Sequence, residues 1–150
     1  MLTAPLQLKE YFYPAISVVA NPAFATADPP EPDVKVDATP DVYVSKEDEN
    51  EFQVKLEVRI NSTDTNPSPY DCWIVCFGYF TVDPAFTDKE RLVSVNGSSM
   101  LYSATREMVA LISGRGPLKH FILPAVNFNA PPQKEEGGQQ KTRKKKSESR

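Results

Sequence analysis

Histidine, cysteine and glycine are scarce in this chain of 150 residues, which contains one, two and six of them. The sequence contains no glycine-rich loop of the kind that binds phosphate groups. It offers only one histidine, His120, for acid-base catalysis. Long apolar runs are also missing, which excludes a membrane span. The first residues carry no positive charge ahead of an apolar stretch, so we expect no secretory signal and a cytoplasmic location. The sequence therefore argues against an enzyme and against membrane insertion.

The two cysteines, Cys72 and Cys76, fall within what is predicted to be one strand. Four residues of extended chain span about 13 Å, roughly twice the Cα separation that a disulfide tolerates. Zinc binding is an equally poor interpretation, because closely spaced cysteine ligands need a turn and only His120 could add a nitrogen ligand. We expect two small buried thiols, no metal site and no cofactor.

Proline and charge are the unusual components that are present. The chain has 14 prolines, and its net charge of −3 is unevenly distributed. Residues 1–133 hold 10 Lys/Arg and 17 Asp/Glu, whereas residues 134–150 hold 7 and 3, so an acidic body carries a basic end. We expect one folded domain over residues 1–128 and a disordered basic tail over residues 129–150. Nucleic acid is an unlikely partner, because the tail lacks aromatic residues that would stack on bases and the body is acidic.

Four strands are predicted before any convincing helix. Residues 51–61 alternate apolar and polar side chains, which is typical of a half-buried antiparallel strand. Residues 70–82 form a strand that is apolar on both faces. Residues 11–20 and 33–44 are two further strands, and Pro14 and Pro40 place them at sheet edges or bends. A proline-rich connection, residues 21–32, should lie across a surface with Phe24 as its anchor.

A helix is predicted over residues 100–113, with Ser98 or Ser99 as its N-cap. Its apolar stripe consists of Leu101, Ala104, Met108, Leu111 and Ile112. Tyr102 and Val109 stand off that stripe, so a second side is also apolar. A short helix within residues 86–94 would precede it. Arg106 and Glu107 either make a polar contact in a helix interface or both reach solvent.

The predicted elements carry more apolar surface than a chain of this size can bury alone. Self-association is the first inference, and an apolar groove that binds other chains is the second. The same protein can both self-associate and bind other chains.

Two segments carry a family resemblance. Residues 101–116, LYSATREMVALISGRG, followed by residues 121–128, FILPAVNF, resemble the end of the SecB protein-export chaperones, and residues 16–22, ISVVANP, look like that family's first strand. The resemblance implies an α+β fold with a four-stranded antiparallel sheet and one long and one short helix packed on one face. It also implies a homo-oligomer, a dimer of dimers joined through the long helices, that acts without nucleotide or cofactor. Such a protein would hold unfolded polypeptides in apolar grooves, for export or for a dedicated client such as an antitoxin.

The resemblance also implies roles for individual residues. The client-binding groove would contain Phe24, Val36, Tyr43, Phe77, Tyr79 and Leu118. The oligomer interface would contain Leu101, Tyr102, Arg106, Met108, Val109, Leu111 and Ile112. A partner-docking sheet face, where the family has acidic side chains that engage the SecA motor, would here present Ala15, Val19 and Trp73. Residues 130–132, Ala-Pro-Pro, stand where the family continues into a C-terminal helix. The alternative is an adaptor that docks one folded partner through its sheet face without general chaperone activity.

Overall fold

The computed structural model describes residues 2–24, 33–118 and 120–129. Four strands come first: β1 (Leu6–Ala20), β2 (Asp37–Val44), β3 (Glu51–Ile60) and β4 (Tyr70–Val82). They form one antiparallel sheet in the order β1-β4-β3-β2. Helical residues follow in three consecutive segments, α1 (Lys89–Leu92), a π-helical turn (Val93–Gly97) and α2 (Ser98–Ser113). The predicted fold class is confirmed in its sheet and in its long helix.

The prolines lie at the sheet edges, as their chemistry requires. β1 and β2 are the two edge strands, and they contain Pro14 and Pro40 respectively. Pro14 falls where the pairing of β1 with β4 shifts register between Phe12 and Ala15, so the missing amide donor sits in a bulge. The bounds differ from the prediction, since β1 already begins at Leu6 and β2 begins only at Asp37.

The core lies between one face of the sheet and the helix. Alternate residues of β3 and β4 point into it, and Val54, Leu56, Ile74 and Cys76 are completely buried. The helix contributes Leu101, Tyr102, Thr105 and Val109 to the same core. The buried Thr105 hydroxyl is satisfied within the helix, because it donates to the Leu101 carbonyl at 2.9 Å.

The predicted short and long helices are present as α1 and α2, but no break separates them. Residues 89–113 are one continuous helix, and Ser98, expected as an N-cap, has helical dihedral angles (φ −62°, ψ −39°). The sequence Asn96-Gly97-Ser98-Ser99 resembles a stop signal, because each residue favours turns or caps over helix interiors. Packing against the sheet overrides this preference for turns and caps. Gly97 lies close to the Phe80 ring, and its lack of a side chain allows this close approach.

The last described segment, residues 120–129, runs back beside the helix without joining the sheet. Helix side chains bind its backbone: Arg106 Nε donates to the Leu123 carbonyl at 2.9 Å, and the Tyr102 hydroxyl donates to the Pro124 carbonyl. Ser113 Oγ accepts from the Phe121 amide at 2.9 Å. The predicted disordered tail lies outside the described residues apart from Asn129. None of the described helices is both long and apolar enough to cross a membrane.

Candidate polypeptide-binding surfaces

The outer face of the sheet, opposite the helix, carries exposed aromatic side chains. Phe12 of β1 stacks on Phe77 of β4 with 5.6 Å between ring centroids, and on Tyr79 with 6.2 Å. Trp73 lies on the same face of β4 and is 42% exposed. We call Phe12, Trp73, Phe77 and Tyr79 the aromatic strip. β4 thus has the two apolar faces that its sequence predicted, one buried under the helix and one facing outward.

The other half of the outer face is charged. β3 and β2 present alternate polar residues there, and Arg59 pairs with Glu57 at 2.9 Å while its guanidinium lies 5.9 Å from the Trp73 ring centroid. The outward positions that are paired in the strand register carry six carboxylates and two cations. The carboxylates are Glu10, Asp37, Asp41, Glu51, Glu57 and Asp71, and the cations are Lys55 and Arg59.

Ala15, Val19 and Trp73, predicted as one docking face, do share this outer face in register with β4. The expectation that the face lacks acidic groups is wrong, because carboxylates stand at other positions, including Asp71 directly opposite Val19. Sequence reasoning missed them because only the pairing register shows which side chains of separate strands are neighbours.

A second surface lies at the free edge of β2. An open depression of about 460 Å³ is lined there by three partly buried apolar residues, Val36, Ala38 and Val126, and by four polar ones, Asp37, Thr39, Glu57 and Arg59. The outer edge of β2 has no strand partner within the described residues. An extended chain could therefore pair with the β2 backbone while its side chains contact Val36, Ala38 or Val126.

The six predicted groove residues do not come together in one groove. Tyr43, Phe77 and Tyr79 lie on the outer face, whereas Val36 and Leu118 pack against the core on the helix side. Phe24 lies in a short 3-10 turn (Pro22–Phe24) that follows β1. Residues 25–32 of the connection, which were expected to border the groove, lie outside the described residues.

The predicted oligomer residues also divide into two groups. Leu101, Tyr102 and Val109 are at most 3% exposed because their own chain covers them, so they are not available for a contact between chains. Arg106 binds the Leu123 carbonyl of the same chain. Leu111 is 64% exposed, and Met108 and Ile112 are partly exposed. Only these last three remain candidates for a contact between chains.

Both cysteines are free and buried, as predicted. Burial, reinforced by the Asp71 charge, raises the pKa of the Cys72 thiol to about 12. Burial raises the pKa of the Cys76 thiol to about 11. Neither thiol is a nucleophile at neutral pH. No cluster of His, Cys, Asp or Glu able to hold a metal ion occurs among the described residues.

Exposed aromatic groups on a sheet face and an open strand edge beside apolar side chains define a protein that works by binding other chains. The chain belongs to the SecB family: the model of the family described as preprotein translocase subunit SecB matches residues 4–136. Membership of this family points to a chaperone that is not an enzyme.

A solved structure has a similar fold. It is the Rv1957 SecB-like chaperone of Mycobacterium tuberculosis, in complex with a ChAD peptide from the Rv1956 HigA1 antitoxin. The TM-score is 0.57 at 16% sequence identity, and the match covers 82% of this chain and 91% of that chain. No curated protein matches this chain by sequence.

Proposed function

We propose that this protein is an ATP-independent, cytoplasmic holdase that binds unfolded polypeptides and keeps them from aggregating. The observation that carries the proposal is the free edge of β2 beside Val36, Ala38 and Val126. An unfolded client offers unpaired backbone groups and apolar side chains, and this edge can accept both. Shallow contacts of this kind discriminate little between client sequences, which suits a protein that binds many different polypeptides.

The client pathway is a second part of the proposal. The family description names a preprotein translocase subunit, and the structural neighbour was solved with an antitoxin peptide. We propose that this chain serves either export or a dedicated client, and that a SecA-like motor would use the outer face if it binds at all. Co-purification of clients with the intact protein, identified by mass spectrometry, distinguishes these pathways.

Light scattering from a denatured, aggregation-prone client tests the holdase proposal. The protein at a few-fold molar excess should suppress the scattering without added nucleotide. Val126→Thr keeps the shape of the side chain but places a hydroxyl in the depression, and client affinity should fall about five-fold, which corresponds to about 1 kcal/mol for one lost apolar group. No suppression by the unchanged protein would contradict a general holdase.

The matched control is Val19→Thr, the same replacement at an exposed position of the outer face. It should leave suppression unchanged if clients bind at β2. A loss with Val19→Thr but not with Val126→Thr would move client binding to the outer face.

The exposed aromatic strip favours a second candidate function, an adaptor that docks one folded partner on the outer face. Exposed aromatic side chains are typical anchors of protein interfaces. This adaptor would bind a native partner with defined stoichiometry and would not suppress aggregation of denatured clients. Trp73→Ser should abolish that docking and leave scattering by an unfolded client unaffected.

A further inference from the structure

The outer face of the sheet is acidic as well as aromatic. At positions paired in the register, six carboxylates exceed two cations, Lys55 and Arg59, and exposed Lys9 in the β1 bulge reduces this negative excess without cancelling it. Arg59 is already engaged by Glu57 at 2.9 Å. Asp37 and Asp41 on β2 and Asp71 on β4 are exposed and make no ion pair among the described residues. This face therefore suits a partner that is cationic and carries long aliphatic stems rather than bulky apolar groups.

The C-terminal residues of the same chain have that chemistry. Residues 134–150 contain seven Lys/Arg against three Asp/Glu, a net charge of +4, and no aliphatic or aromatic apolar residue. Lysine and arginine stems can cover apolar rings while their charged ends reach carboxylates, and their cations are attracted to ring faces. The tail therefore complements the outer face in two ways: its cations match the carboxylates, and its aliphatic stems can cover the exposed rings.

The tail starts close enough to reach the face. The last described residue, Asn129, is held on the helix side by Arg91, whose Nη2 donates to Asn129 Oδ1 at 3.1 Å. Val126, three residues earlier, lines the same depression as residues 36–39 of β2. The twelve residues from Asn129 to Lys141 can extend about 40 Å, whereas neighbouring strands are only about 4.8 Å apart. The path around the β2 edge is therefore short, and Asp37 and Asp41 are the first carboxylates along it.

We propose that residues 134–150 bind the outer face of their own sheet, with cations of 141–146 paired to the carboxylates of β2 and β4 and their stems over the aromatic strip. The contact covers exposed aromatic surface within one chain, and a partner or client that uses this face has to displace it. Because the contact is electrostatic, it weakens as salt rises. This contact lies within one chain and is independent of holdase activity.

The single tryptophan of the protein, Trp73, lies on this face and reports on it directly. We would compare acrylamide quenching of the full-length protein with a full-length variant in which Lys141, Arg143, Lys144, Lys145 and Lys146 are replaced by Gln. At low ionic strength the quenching constant should rise about two-fold in the variant, because the tail acts at the high effective concentration of a tethered ligand. In 1 M salt, where the screening length falls to about 3 Å, the two proteins should become equal.

Face variants locate the contact. Asp37→Asn with Asp41→Asn should raise quenching of Trp73 in the otherwise unchanged protein. The matched control, Asp33→Asn with Asp64→Asn, removes the same charge at exposed positions outside the strands and should leave quenching as it is. Equal quenching with and without the tail cations at low salt would overturn the proposal. An equal effect of the control pair, or quenching that depends on protein concentration, would overturn a specific contact within one chain.

Discussion

Gly78 of β4 lies directly against Leu101 of the long helix. A Cβ added there would lie 2.7 Å from Leu101 Cδ2 and 2.9 Å from Phe80 Cε2, closer than real Cβ contacts allow. We expect Gly78→Ala to destabilise the protein by about 1–3 kcal/mol, because a buried leucine and phenylalanine must move. Denaturant unfolding measures the change.

Gly97→Ala is the matched comparison for that prediction. Its Cβ would lie 3.3 Å from the Phe80 ring, which a small shift relieves, and alanine gains about 0.5–1 kcal/mol in a helix interior. We expect a free energy of unfolding close to that of the unchanged protein. If both alanines destabilised the protein equally, the close approach at Gly78 would not be the cause.

The two buried thiols should react slowly in the native protein. A raised pKa keeps each thiol protonated until the pH approaches its folded value, about 12 for Cys72 and about 11 for Cys76. An exposed cysteine, with a pKa of about 8.5, is partly ionised at pH 8. We expect a thiol reagent at pH 8 to label neither residue quickly, and to label both once denaturant is added. Rapid labelling of the native protein would reopen an enzymatic role for these cysteines.

At the scale of the strands, side-chain chemistry is enough to predict most of the sheet. β3 follows from strict alternation, and the edge positions of β1 and β2 follow from Pro14 and Pro40, which remove a backbone donor that an interior strand needs. The beginning of β1 at Leu6 was missed because its first residues are held by pairing with the end of β4, at Val82, which no local pattern reveals.

The helix is less predictable because two of its sides are apolar. Periodicity identified a stripe that includes Leu111, but the side packed on the sheet contains Thr105 and Val109. A polar residue such as Thr105 weakens the hydrophobic pattern of the buried side, although its hydroxyl is satisfied by the Leu101 carbonyl. Which apolar side meets the sheet depends on tertiary packing and cannot be read from spacing alone.

Val109→Asp tests which side of the helix is buried. Val109 is 0% exposed, so the substitution places a carboxylate in the core at a cost of several kcal/mol. We expect loss of the cooperative unfolding transition in circular dichroism. Glu107→Ala, at an exposed position two residues earlier, should keep a normal transition. A stable Val109→Asp protein would mean that this side of the helix does not face the sheet.

At the scale of the whole molecule, the binding surfaces were predicted less well than the fold. Candidate residues could be chosen for apolarity, but the register places Tyr79 on the outer face, whereas Val36 packs against the core, and no local pattern distinguishes the two. The outer face and the β2 edge adjoin, because Asp37, Glu57 and Arg59 belong to the face and also line the depression at the edge. The exposed helix residues around Leu111 form a third surface, and we propose that chains associate there.

Leu111→Asp tests the proposal that this third surface joins chains. Leu111 is 64% exposed in the single chain, so we expect the variant to fold normally, with an unchanged far-ultraviolet spectrum, while the charge in an apolar contact lowers the sedimentation mass. Asn127→Asp adds the same charge at another exposed position and keeps the side-chain oxygen that accepts from the Asn129 amide, so its mass should not change. If Leu111→Asp folds and sediments like the unchanged protein, the chains associate elsewhere. The exposed edge of β1, with Tyr11 and Ile16, then becomes the surface to test.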